Sequence, residues 1–107
     1  MSLFDKLSAA TEARDAGAYA DLMADDFTFV RHQNGTSMNK AETTEMLKKM
    51  MANGATMGTR RKIYENDDIL VVHSINDYPD GSREAVLAAY TLRDGKITRL
   101  ETGATKL

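Results

Sequence analysis

Residues 2–16 and 40–51 place their apolar positions at helical spacing, whereas the segments after residue 57 alternate or run apolar as strands do. Leu3, Phe4, Leu7, Ala10, Thr11 and Arg14 fall on one helical face, and Ser2 followed by Asp5 resembles a capping box. A first helix is therefore predicted from Leu3 to Ala16, with Gly17 as its C-cap. A short second helix is predicted over Ala18 to Met23, with Tyr19, Leu22 and Met23 on one side and Asp25-Asp26 closing it. Phe27 to His32 is aromatic and β-branched, hence a strand, and Asn34-Gly35 turns the chain so that Thr36-Ser37-Met38 pairs back. Asn39 caps a third helix, Lys40 to Met51, whose stripe is Met46, Leu47, Met50 and Met51 and whose stop is Asn53-Gly54.

Met57 to Glu65 reads as a long strand, and Ile69 to Ile75 as a strand apolar on both parities, the pattern of one covered on both faces. Turn chemistry at Pro79-Asp80-Gly81 leads to a strand from Glu84 to Arg93, and Asp94-Gly95 to a last strand, Ile97 to Leu100. These three strands form an antiparallel meander. Helix, helix, strand, helix and then strands is an α+β order, with helices on one face of an antiparallel sheet.

Composition narrows the function classes. The chain of 107 residues is one domain, residues 1–107, and its net charge of −2 gives no reason to expect nucleic acid or an anionic membrane. It has no cysteine, which excludes thiolate nucleophiles, disulfides and Cys-ligated metals. Neither a signal peptide nor an apolar run of about 20 residues is visible, so a soluble, cytoplasmic protein is expected. The two histidines, His32 and His73, stand on different strands without an acidic ligand loop, so no metal site is expected. Arg60-Arg61-Lys62 reads as a charged edge strand more readily than as an anion site.

The run Asp15-Ala16-Gly17-Ala18-Tyr19-Ala20-Asp21-Leu22-Met23-Ala24-Asp25-Asp26-Phe27 resembles the turn by which nuclear-transport-factor-2-like, or SnoaL-like, domains pass from their helical hairpin into the first strand. The Asn34-Gly35 hairpin, the third helix and the meander follow in that family's order, over nearly the whole chain. The resemblance implies a cone: a strongly curved antiparallel sheet wrapped around three N-terminal helices, with one open-ended pocket. It also implies homodimerisation through the outer, convex face of the sheet. The superfamily includes ketosteroid isomerases, polyketide cyclases, dehydratases and epoxide hydrolases, as well as members that only bind or associate. Arg31 stands where the isomerases carry their general-base aspartate, Ala10 near their tyrosine and Ala88 near their protonated aspartate, so isomerase chemistry of that kind is not expected. The arginine flanked by two aspartates of the epoxide hydrolases is not visible either.

Two-residue turns at Asp80-Gly81 and Asp94-Gly95 would set Val71 opposite Tyr90, His73 opposite Ala88 and Tyr90 opposite Arg99. That register gathers Val71, His73, Tyr90, Arg99 and Glu101 around Ala88 on the concave face. Phe29 and Arg31 join them from the first strand, and Tyr19, Met23, Met46 and Met50 close the pocket from the helices. The opposite face, with Leu70, Val72, Ser74, Asn76, Leu87, Ala89, Thr91, Leu100 and Thr102, suits a dimer interface. In this arrangement His73 is a general base oriented by Glu101, and Tyr90 and Arg99 polarise a carbonyl. The same residues read equally as a satisfied core histidine, a packing tyrosine and a rim ion pair.

Three functions follow. The first is a small, largely apolar organic ligand bound in the cone of a homodimer without a cofactor. The second is a cofactor-independent isomerase, cyclase or dehydratase with His73 as base. The third is a non-catalytic association module.

Overall fold

The computed structural model describes residues 2–54 and 56–107, and for residues 56–58 the backbone alone. Three helices and six strands run α1 (Leu3–Glu12), α2 (Ala16–Ala20), β1 (Met23–Arg31), β2 (Thr36–Asn39), α3 (Lys40–Ala52), β3 (Thr56–Glu65), β4 (Ile69–Asp77), β5 (Arg83–Arg93) and β6 (Lys96–Lys106). One curved sheet holds all six strands in the order β2-β1-β6-β5-β4-β3. It is mixed, since β1 lies parallel to β6 while the other neighbours are antiparallel. The three helices cover its concave side.

Local chemistry accounts for the helix ends. The Ser2 side chain accepts from the Asp5 N–H, capping α1. The helix stops at Glu12 rather than Ala16 because Arg14 takes a left-handed backbone, with φ of 53°. Asp15 then caps α2 by accepting from Ala18 N–H, so Gly17 lies inside the second helix and does not end the first. Asn39 and Glu42 form a full capping box at α3, each side chain accepting from the other's backbone N–H. The second helix is over by Ala20, and β1 already begins at Met23, four residues before the predicted start.

The core lies between helices and sheet. Leu7, Leu70 and Ile97 are fully buried, packed with Leu3, Met23, Phe27 and Leu47. β3 is the edge strand that its three cations suggest, with Arg60 turned inward over the Phe4 ring at 5.3 Å.

The register differs from the predicted one at two places, and each reverses a strand's faces. β4 and β5 are joined by a five-residue loop, residues 78–82, so that Asp77 opposes Arg83. Tyr78 N–H donates to the Ser82 carbonyl, Gly81 takes φ of +88°, and Asp80 Oδ1 accepts from Ser82 N–H. Val72 therefore opposes Ala88, and Leu70, Val72, Ser74 and Asn76 face inward while Val71, His73 and Ile75 face out. The Asp94-Gly95 turn does have two residues, with Arg93 opposite Lys96 and Leu92 opposite Ile97. Thr98 is then left over as a bulge, and Thr91 opposes Arg99. Beyond the bulge Leu100 and Thr102 point inward, and Arg99 and Glu101 point out.

Candidate functional site

The inward residues form rungs across the sheet, since paired strand positions share a face. Leu70, Tyr90, Leu100 and Phe29 make the innermost rung. Val72, Ala88, Thr102 and Arg31 make the next, then Ser74, Val86 and Ala104, and finally Asn76 and Glu84. The innermost rung is apolar but for the Tyr90 hydroxyl, Arg31 and Thr102 bring polarity into the second, and the outermost is wholly polar. Tyr19 from α2 and Thr43, Leu47 and Met50 from α3 complete a cavity of about 100 Å³. Small Ala88 at its middle keeps the space open.

Two phenols mark the closed end. Tyr19 and Tyr90 are both nearly fully buried, and burial, reinforced by the neighbouring Tyr90, holds the Tyr19 hydroxyl well above its ordinary pKa. Arg60 nearby pulls weakly in the other direction. At the open end the Tyr78 hydroxyl donates to Glu84 Oε1 at 2.7 Å. Burial and Glu84 raise the pKa of Tyr78, while its hydrogen bond with Asn76 and the charge of Arg31 oppose the rise. Two buried polar atoms that belong to lining residues, Thr43 Oγ1 and Asn76 Oδ1, have no hydrogen-bond partner among the described residues. The helical threonines Thr11 and Thr44 instead donate to the carbonyl four residues back.

Of the residues predicted to line the pocket, Tyr19, Phe29, Arg31, Met50, Ala88 and Tyr90 do so. Met23 is buried in the core apart from the cavity, and its carbonyl accepts from Lys40 Nζ. Met46 lines a shallow outer groove with Glu42, Lys49, Tyr78 and Pro79, adjoining the cavity at Met50 and Tyr78. Val71, His73, Arg99 and Glu101 stand on the convex face, for the register reasons given above. Glu101 does meet a histidine there, but it is His32, with Nε2 3.0 Å from Oε2, and Arg99 Nε donates to its other oxygen at 2.7 Å. His32 first and Arg99 second hold the Glu101 carboxyl below its ordinary value. His73 pairs across the strands with Arg61 and Leu87. No His73–Glu101 dyad is formed, and neither residue reaches the cavity.

Sequence reasoning missed Ser74, Asn76, Tyr78 and Glu84. Their signal was the alternation Val72-Ser74-Asn76, polar residues in step with a buried apolar one, which a five-residue loop would have turned inward. The predicted dimer face changes accordingly: Leu70, Val72, Ser74, Asn76 and Leu100 are buried against the helices. The convex surface is made by Val71, His73, Ile75, Ala85, Leu87 and Ala89 instead, with Leu87 half exposed.

Among the described residues no group of three or more His, Asp or Glu is placed to hold a metal ion, and no helix is long and apolar enough to cross a membrane.

Comparison with known proteins places this geometry. Residues 4–100 match the sequence profile described as SnoaL-like domain. No curated protein matches the chain. Among solved structures, an NTF2-like protein of unknown function from Cytophaga hutchinsonii superposes with a TM-score of 0.79 at 16% identity, covering 96% of this chain and 87% of its own. A protein proposed to be a ketosteroid isomerase, from Kribbella flavida, gives 0.83 at 15%, covering 98% and 76%. TerC, co-crystallised with polyporic acid, gives 0.76 at 22%, covering 95% and 88%. At such identities the likeness is one of fold.

Proposed function

The chain belongs to the SnoaL-like family, and from that premise we propose that it binds a small, largely apolar organic molecule in its cone, as a homodimer joined through the convex sheet face. The observation that carries the reading is the graded cavity: apolar side chains and two buried phenols at the closed end, and polar groups gathered at the open one. A concave site with an apolar wall and a few convergent polar groups is how proteins hold small organic ligands. The co-crystallisation of TerC with an organic ligand in the same fold supports it by analogy. An enzymatic reading based on His73 lacks its base, because that ring is on the other side of the sheet. Among the described residues the one carboxylate lining the cavity is Glu84, already engaged by Tyr78.

The test is ligand-observed NMR with single-ring probes, toluene and phenol, against the wild type, Ala88→Phe and His73→Ala. Phe at 88 fills the space and is expected to abolish the signal, while His73→Ala leaves it as it was. Equal signals from wild type and Ala88→Phe would mean that the probes bind elsewhere, and the cavity reading would be wrong.

A further inference from the structure

Arg31 projects from the second rung into the cavity, half-buried, with no hydrogen-bond or ion-pair partner among the described residues. Five other arginines are engaged: Arg14 donates to the Met51 carbonyl, Arg60 to Ser8 Oγ, and Arg83 pairs with Asp77, Arg93 with Asp26 and Arg99 with Glu101. A guanidinium withdrawn from water without a partner is costly, and a carboxylate that meets it with two parallel N–H···O bonds relieves that cost. The cavity wall carries two guanidiniums, Arg31 and Arg60, against the single carboxylate of Glu84. That carboxylate stands two rungs further out and is already taken by the Tyr78 hydroxyl. The field inside therefore favours a negative group, and Phe29, Leu100, Val72 and Ala88 around the arginine offer an apolar bed for what the group is attached to.

From this we infer that the ligand is an organic monocarboxylate with a compact apolar body, its carboxylate seated on Arg31 and its body on the two inner rungs. Arg31 is the residue that decides specificity. At the position where the family's isomerases place a proton-abstracting carboxylate, this chain has the opposite charge, which suits anion capture. The inference rests on the cavity reading above and adds the sign of the ligand.

Benzoate and its neutral isostere benzamide separate the two. Titration calorimetry on the wild type is expected to show benzoate bound about tenfold more tightly or better, the usual effect of one charge-assisted contact. Arg31→Gln brings the benzoate-to-benzamide ratio toward one, and Arg31→Lys restores part of the preference. Thermal melts of both variants check that they fold. If benzamide binds as well as benzoate, or the preference survives in Arg31→Gln, the anion inference is overturned while the cavity reading stands. If neither compound binds, both fall together.

Discussion

The hydroxyl of Tyr78, the first residue after β4, donates at 2.7 Å to Glu84, the second residue of β5. The bond spans the loop that sets which side chains of β4 enter the cavity. Tyr78→Phe is expected to lower stability by about 1.5 kcal/mol, the lower end of the range for a hydrogen bond to a carboxylate because this one is only part-buried. Urea unfolding measures it; an unchanged midpoint would show that the loop holds its register without this bond.

Tyr19 predicts an alkaline weakness. The folded protein keeps its phenolic proton more tightly than the unfolded chain, whose value is 10.0. Its contribution is therefore intact below that pH and is lost as pH rises through the higher folded value. Urea midpoints recorded from about pH 9 to 11 should fall in the wild type and fall less in Tyr19→Phe. Equal slopes would mean that the phenol ionises freely in the fold.

Thr43 is 2% exposed and its Oγ1 is unpaired among the described residues. Valine has the same shape without the hydroxyl. Thr43→Val is expected to raise stability by about 1 kcal/mol, by removing a buried polar group that makes no bond. A loss of stability would show that the hydroxyl is bonded in solution, with water as the natural partner.

On the convex face Leu87 is 51% exposed in the single chain, between Val71, His73 and Ala89. If that face joins two copies, Leu87→Arg places a charge at the centre of the contact and sedimentation should show monomers in place of dimers. A wild type already monomeric at micromolar concentration removes this part of the proposal.

The caps at Ser2 and Asn39, the Asp94-Gly95 turn and the order of elements along the chain were legible from residue types because each depends on a few neighbours. The C-cap expected at Gly17 and the two-residue turn expected at Asp80-Gly81 were not. Asn39 with Glu42 and Asp94 with Gly95 behave as their chemistry dictates. Ala88, Tyr90, Phe29 and Arg31 were legible as lining residues because β5 and β1 keep the assumed parity. His73, Arg99 and Glu101 were not, since a strand's faces exchange with every added residue. The loop at 78–82 contains a two-residue turn signal yet uses five residues, and Thr98 bulges with no local mark in its type. Two single-residue displacements moved His73, Arg99 and Glu101 to the outer surface and left Tyr90 alone of the supposed catalytic group in the cavity.

The parallel pairing of β1 with β6 ties a strand from the first third of the chain to the last one. During synthesis β1 has β2 for company, but its other edge stays open until β6 has been made. The inner wall is incomplete until then as well, for Leu100 and Thr102 arrive with β6. The sheet therefore closes only once β6 is available, and until then the chain carries an unpaired strand edge that neighbouring chains or chaperones can reach.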